Sequence, residues 1–403
     1  MTTKTASINA AVVEQSAEYW LGVAQTVAQQ FKETAVERDQ KGGHAHEQRE
    51  LLRKSGLLTL SISKQCGGAG QPLSLVYQII RLLAQADSAL AHILAFHYLQ
   101  ISSVLLYGSP AQADLLLRNT VLKSWFWGNA LNPLDKRVIA TERLEGGYVL
   151  HGDKGFCSGA RGSDYLTVSG WHEATQSIVV AAVPTERQGI TVLGDWDAMG
   201  QKQTDSGTVN FAHVVVEADE VLLQPGAEWS AAAHFRSCLA QLVLVNLYVG
   251  IAQGALMAAK GYTLEKAKPW FTSGALTSAD DLYVQHHYGE LWVKLRAAEV
   301  LTDLAVKIAS TYFLRKPEIT LDERGETAIA VAEAKVAAHH AVLEITTRLF
   351  DITGAGATKR DYGFDRFWRN ARTHTLHDPL DYKLRDLGRW VLRGEYPLPT
   401  SYS

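Results

Sequence analysis

Two imidazoles and a carboxylate stand close together near the C-terminus, in the run Arg372-Thr-His-Thr-Leu-His-Asp-Pro379. His374 and His377 are three residues apart, so on a helical turn they lie on one side and both can face one pocket. An imidazole changes charge near working pH, and such a pair can hold or donate a proton where an oxygen is acquiring charge. Asp378 is placed to orient His377. On these residues alone three readings stay open: a metal site, a catalytic group, or a helix end in which Asp378-Pro379 is the cap and first-turn pair of a helix running through Arg389. A metal needs further ligands, and the chain offers no organised His/Asp/Glu set for them. The adjacent pairs His286-His287 and His339-His340 point to different faces of their helices.

The elements that must position this cluster fall into three segments. Over residues 17–121 apolar positions recur at three and four residues, as in Leu75, Ile79, Ile80, Leu82 and Leu83, which predicts helices. The run Cys66-Gly-Gly-Ala-Gly-Gln-Pro72 interrupts them; it lacks the Lys-Ser/Thr and the preceding strand of a phosphate loop and reads as a connection. Between about Trp125 and Gln224 short β-rich runs at 148–151, 165–169, 178–183, 207–211 and 214–216 predict an antiparallel sheet or barrel. Helical spacing resumes near Ala231, with Gly250, Gly254 and Ala258 forming a smooth ridge for close packing. Long helices over 280–312 and 322–351 then predict an antiparallel bundle. The expected domains are an N-terminal all-helical one over 1–123, a middle β-domain over 124–228 and a C-terminal helical bundle over 229–403.

With 403 residues, 47% of them apolar and 20% charged, the chain can bury substantial cores. A formal net charge of −3 gives no electrostatic reason to expect nucleic acid or an anionic membrane as a partner. Small molecules or proteins are the expected ligands. Three scattered cysteines, Cys66, Cys157 and Cys238, suggest neither a disulfide framework nor a zinc site and fit a reducing cytoplasm. The first residues lack the pattern of a signal peptide and read as a mature start. The apolar stretch 239–259 is interrupted by Gln241, Asn246 and Gln253 and reads as a buried core helix.

Helices, sheet, helices is also the layout of the acyl-CoA dehydrogenase superfamily, and specific stretches resemble its signatures. They are Leu60-Ser-Ile-Ser-Lys-Gln-Cys-Gly-Gly-Ala-Gly70, Gly152-Asp-Lys-Gly-Phe-Cys-Ser-Gly-Ala160, Met199-Gly-Gln-Lys-Gln-Thr-Asp-Ser-Gly207, the helix over 247–259, and Arg369-Asn-Ala-Arg372. A side branch matches more closely: Gly155-Phe-Cys-Ser-Gly-Ala-Arg-Gly-Ser-Asp164, Gln203-Thr-Asp-Ser-Gly207, Tyr362-Gly-Phe-Asp-Arg-Phe-Trp-Arg-Asn370 and Arg372 to Pro379 resemble the reduced-flavin monooxygenases of the dibenzothiophene type. The resemblance implies an α+β fold with a helical domain, a middle antiparallel β-barrel and a four-helix bundle. It also implies a cytoplasmic homotetramer, reduced FMN rather than FAD, a transient flavin reductase partner, and oxygenation of a small organosulfur compound or amine through a flavin hydroperoxide. FAD-dependent acyl-CoA dehydrogenation is the competing enzymatic expectation, and a flavin-binding assembly protein without chemistry is a third.

Asp378 decides between the first two. It stands where many of the dehydrogenases carry the glutamate that abstracts a substrate proton, but it is one methylene shorter and is followed by Pro379. A base must first reach its proton, so the geometry favours oxygenation. On the resemblance, the catalytic set is His92, Asn129, Ser158, His374, His377 and Asp378. Ser158 falls beside the flavin N5, and Asn129 along the ring. Phe156 and Trp196 pack on it, with Trp127 and Cys157 beside them. His92 and Phe96 border the substrate pocket, Phe96 replacing a tyrosine. The flavin phosphate falls to Lys268, Trp270, Ala355 and Gly356, and arginines stand at the places of Lys268 and Gly356 in the dibenzothiophene enzymes. Lys268 keeps a charge there but loses the bidentate fork, with Lys359 or Arg360 nearby.

Overall fold

Polar side chains that accept from free backbone N–H groups start most of the helices. The computed structural model describes residues 15–227 and 230–403. In the first segment α1 (Ala17–Lys41) is capped by Ser16, and α2 (His46–Lys54) follows. Residues 55–72, which include the connection expected at 66–72 and extend it toward α2, contain one 3-10 turn at Lys64–Cys66. Next come α3 (Leu73–Ala86), α4 (Ser88–Tyr107), capped by Asp87, and α5 (Pro110–Lys123), opened by a Ser109/Gln112 capping box.

The middle segment folds into β1 (Trp127–Ala130), β2 (Ile139–Glu142), β3 (Tyr148–Lys154), β4 (Tyr165–His172), β5 (Ser177–Pro184), β6 (Ile190–Val192), β7 (Val209–Val216) and β8 (Val221–Leu223). Their order in one curled sheet is β6-β7-β3-β2-β4-β5-β8, with β1 also on β4. Most pairs are antiparallel, as expected. The departures are β1, parallel to β4 from Trp127 opposite Tyr165, and β2, which meets β4 in parallel at Ile139 and Trp171. Both strands share one edge of β4, so the sheet is mixed. The runs 207–211 and 214–216 are one strand, bent at His213 with φ 55°.

The third segment holds α6 (Ala231–Glu265), α7 (Leu282–Phe313), α8 (Leu321–Thr353), α9 (Asp365–Thr375) and α10 (Leu380–Arg393). The glycine ridge on α6 meets α3: a Cβ at Gly250 would lie 2.5 Å from the Arg81 carbonyl oxygen, and one at Gly254 2.2 Å from that of Gln85. Helix α6 is the expected core helix, and its polar residues have partners. Asn246 accepts from Arg81, and Gln253 bonds Gln85 and Glu299. Both α4 and α6 are long and apolar enough to cross a membrane, and both are largely buried within the protein. One apolar core runs through the helices of the first and third segments, while the sheet has its own around Leu150, Val168 and Phe211. The flavin-type motifs of the sequence lie where these bodies meet.

Candidate active site

Helix α4 presents His92, Phe96, Gln100, Ser103 and Tyr107 at intervals of four, four, three and four, so they form one stripe. At its start, His92 Nε2 lies 2.9 Å from Ser158 Oγ. Ser158 Oγ lies 2.8 Å from Ser206 Oγ, which lies 2.8 Å from Thr204 Oγ1. The result is a buried hydroxyl chain ending on an imidazole. The loop carrying Thr204 and Ser206 is fastened by Gln201, whose backbone N–H donates to Asn370 on α9 and whose side chain donates to Ser88 on α4. Gly200 permits that contact, because a Cβ there would sit 2.2 Å from the Arg369 carbonyl oxygen.

Asn129 is brought in by β1. Its backbone N–H donates to the Ser158 carbonyl at 2.9 Å, and its Oδ1 accepts from Gln100 at 3.3 Å. The His374 ring stacks on that of His92 at 4.9 Å between centroids and 24° between planes, and Phe96 stacks on the other side of His92 at 4.1 Å. Both nitrogens of His374, and Nδ1 of His92, are buried without a hydrogen-bond partner. Unpaired buried polar atoms cost stability, and their convergence marks a place prepared for a ligand. Burial holds His92 well below the ordinary imidazole range, with His374 and His377 adding to the effect. Burial, then His377, pushes His374 down to about 3. Both rings are therefore neutral at pH 7.

His377 is partly exposed, and its Nδ1 lies 3.0 Å from Asp378 Oδ1. Asp378 does not cap α10: Pro379 stands at the N-cap, with no side-chain cap bond. Its carboxylate is taken by Lys335 of α8, a buried lysine whose ammonium also reaches Gln241 of α6. A charge buried that deeply requires a counter-charge, and Asp378 supplies it. Burial pushes Lys335 down to about 8, against the pull of Asp378. For Asp378 burial acts upward, but the His377 hydrogen bond and the Lys335 charge outweigh it and hold the carboxyl below its usual range. Tyr248 of α6 donates to the His374 carbonyl at 3.0 Å. The imidazole cluster is thus braced from two bundle helices.

Phe156, at φ 57°, is 68% exposed beside the sheet, and the half-buried Trp196 meets it edge-on at 6.2 Å. Two other expected neighbours turn away. Trp127 is fully buried with its indole N–H on Thr120 Oγ1, because β1 packs that side chain into the helical core. The Cys157 thiol donates to the Lys154 carbonyl inside the sheet core, where burial pushes it up to about 12. Lys268, Trp270, Ala355 and Gly356 are exposed at the far end of the bundle. Gly356 backs onto Tyr262, whose hydroxyl would lie 2.7 Å from a Cβ there. Tyr262 is 14 residues along α6 from Tyr248, about 21 Å of helix. Within one chain these four residues are not brought to the imidazoles. Lys335, Ser206 and Thr204 were not singled out from sequence, and Gln241 was read only as an interruption of an apolar stretch; the signal available for Lys335 was a lysine on the apolar face of α8, between Val331 and Ala338. Among the described residues no three His, Cys, Asp or Glu side chains converge as metal ligands.

Comparison with known proteins matches residues 15–121 to the acyl-CoA dehydrogenase N-terminal domain and residues 242–382 to the acyl-CoA dehydrogenase C-terminal domain. A probable FMNH2-dependent monooxygenase, SfnC of Pseudomonas putida, is 44% identical over 95% of this chain and 97% of its own. Dibenzothiophene monooxygenase of Rhodococcus qingshengii is 40% identical over 94% of each. The solved structure of methanesulfinate monooxygenase MsuC from Pseudomonas fluorescens superposes with a TM-score of 0.93 at 43% identity, covering 95% of this chain and 99% of that one.

Proposed function

The chain belongs to the acyl-CoA dehydrogenase superfamily, in the branch of the FMNH2-dependent monooxygenases, and from that premise we propose that it is the oxygenase of a two-component system. It takes reduced FMN from a separate reductase and oxygenates a small organosulfur compound, with amines as a second substrate class. One observation carries this reading. Among the described residues the one carboxylate in the imidazole cluster, Asp378, is bound by Lys335 and His377 and held below its usual range, which makes it a poor proton-abstracting base. The dehydrogenase alternative would need that base.

The residues present fit a flavin ring: an exposed aromatic wall at Phe156 and Trp196, and a polar edge at Ser158, Asn129 and the unpaired imidazole nitrogens. Reduced FMN, when bound, supplies the electrons that let one atom of O2 enter the substrate while the other leaves as water. Ser158 and Asn129 orient the ring. His92 and His374, neutral at working pH, offer N–H groups without importing charge. Asp378, being ionised, can only accept, so the Nδ1 of His377 carries the hydrogen and its Nε2 is left to take or return a proton. The stacked rings of Phe96, His92 and His374 exclude water from that side.

The phosphate-end residues fit a homotetramer in which a second copy brings Lys268, Trp270, Ala355 and Gly356 to the site. In support, Trp270, Phe271, Leu282, Tyr283, Trp292 and Val293, in the segment after α6 and the first half of α7, are large apolar side chains left exposed. The free cysteines fit a cytoplasmic setting.

The test is His377→Phe, supplied with reduced FMN by a reductase, with oxygen consumed and product formed measured together. Product per oxygen should fall by tenfold or more while FMN binding holds. Full coupling in the variant would remove His377 from the mechanism.

A further inference from the structure

The segment Gln203-Thr-Asp-Ser-Gly207 supplies Thr204 and Ser206 to the buried hydroxyl chain that ends on His92. Asp205 stands between them, and its own partners lie elsewhere. Its φ of 47° is in the left-handed region, which a residue with a Cβ occupies only when something holds it there. The consequence is geometric. Extended backbone would separate residues 204 and 206 by roughly 6.6 Å along the chain. With residue 205 left-handed, their side-chain oxygens are 2.8 Å apart, and Ser206 Oγ is 2.8 Å from Ser158 Oγ.

Two side chains of the first segment hold it. His44, in the link between α1 and α2, places Nδ1 2.7 Å from Asp205 Oδ2, and Arg49 of α2 places Nη1 3.4 Å from the same oxygen. Gly162, at φ 73°, makes room for the imidazole, because a Cβ there would lie 2.9 Å from His44 Cε1. Arg49 also reaches the second loop: its Nη2 donates at 3.1 Å to the carbonyl of Gly159, the residue after Ser158. Burial lowers this guanidinium to about 10 while Asp205 opposes the fall, so it is charged at neutral pH. One cation therefore ties the loop after β3, which carries Ser158, to the loop before β7, which carries Ser206. Backbone bonds also join these loops, from Gly159 N–H to the Thr204 carbonyl at 2.9 Å and from Cys157 N–H to that of Gly207 at 3.0 Å. They set the spacing of the loops. The conformation of Asp205 sets where the hydroxyls point.

We propose that Asp205 is a positioning residue of the reaction centre. Bound by His44 and Arg49, its carboxylate keeps residue 205 left-handed, and that conformation holds Thr204, Ser206 and Ser158 in register, so that Ser158 presents a fixed hydroxyl to the flavin ring. The first segment thus sets the aim of a hydroxyl carried by the middle one. This deepens the function proposed above and rests on Ser158 facing the ring; it does not depend on which compound is oxygenated.

The test is a double-mutant cycle in flavin affinity, read from FMN fluorescence on the full chain without turnover. Asp205→Asn keeps the shape and removes the charge. It should weaken FMN binding about fivefold or more in the wild-type background and less than about twofold in the Ser158→Ala background, because it acts through Ser158. Asp205→Gly takes the left-handed backbone freely and also loses the carboxylate; it should give the same pattern, and it carries the cycle if the asparagine variant does not fold. Equal losses in both backgrounds make Asp205 a general support of the fold and overturn the proposal. So does either variant binding FMN as the wild type does. A wild-type chain that shows the cycle yet oxygenates no organosulfur compound or amine removes the monooxygenase reading and leaves the role of Asp205 standing, whereas one that binds no FMN overturns both.

Discussion

Replacing Lys335 by methionine keeps the length of the side chain and removes its charge. In the wild type the lysine side chain is 1% and the Asp378 side chain 9% exposed, so water does little to screen the pair. Breaking a buried pair by deleting one partner costs about 3 to 5 kcal/mol, because the other charge is stranded. The His377 hydrogen bond survives, so the lower end, about 3 kcal/mol at pH 7.5, is expected. The loss depends on pH with a definite sign. In the wild type the folded Asp378 lies below its unfolded value of 3.8, and its contribution is fully present above that value. Without the lysine, burial raises Asp378 instead, and the stranded carboxylate costs least where it can take a proton. The deficit should therefore shrink between pH 7.5 and 5, read from urea titrations at fixed protein concentration. Lys335→Met combined with Asp378→Asn should recover about 2 kcal/mol or more relative to the sum of the single changes. A deficit equal at both pH values, or strictly additive changes, would refute the counter-ion account.

Three further outcomes are expected. Turnover should decline as pH rises through about 8, where Lys335 loses its proton and Asp378 its partner. Because that folded value lies below 10.5, the proton loss itself favours the folded chain, so the limb should appear in rate profiles and not in unfolding. Ser158→Ala strands His92 Nε2 and leaves Ser206 Oγ with Thr204 alone; it should cost about 1 to 3 kcal/mol in urea titrations and reduce product formation by at least tenfold. Gly128→Ala puts a Cβ 2.7 Å from Ser163 Oγ and 2.8 Å from the Ala160 Cα, so β1 must shift; about 1 to 3 kcal/mol should be lost, with weaker FMN binding because Asn129 moves with the strand.

Much of the architecture could be read from periodicity. Residues 280–312 and 322–351 became α7 and α8 within two residues, because an amphipathic repeat of that length has no other way to bury its face. The imidazole cluster was legible for the same local reason, since three-residue spacing on a turn forces proximity. Orientation in β1 was not legible. All four of its residues are buried, so no alternation distinguishes the side facing Asn129's ligand space from the side that swallows Trp127. The parallel contacts of β1 and β2 on β4 depend on partners far along the chain, which no local pattern specifies. Nor does sequence proximity to a motif place Lys268 and Gly356, which the length of α6 carries away from the imidazoles.

The position of Asp378 shows how one scaffold changes its chemistry. A dehydrogenase needs a carboxylate there that is free to accept a proton. Here a lysine, itself held by an amide of α6, reaches from α8 to bind it, and the short side chain turned toward that lysine cannot also point into the pocket. What the carboxylate does instead is fix the tautomer of His377, while Tyr248 fixes the backbone of His374. On the function proposed above, the proton-handling group moves outward from the carboxyl to the imidazoles, of which burial keeps His92 and His374 neutral. A neutral ring can donate to a nascent oxygen anion and recover the proton without a permanent charge in a dry pocket.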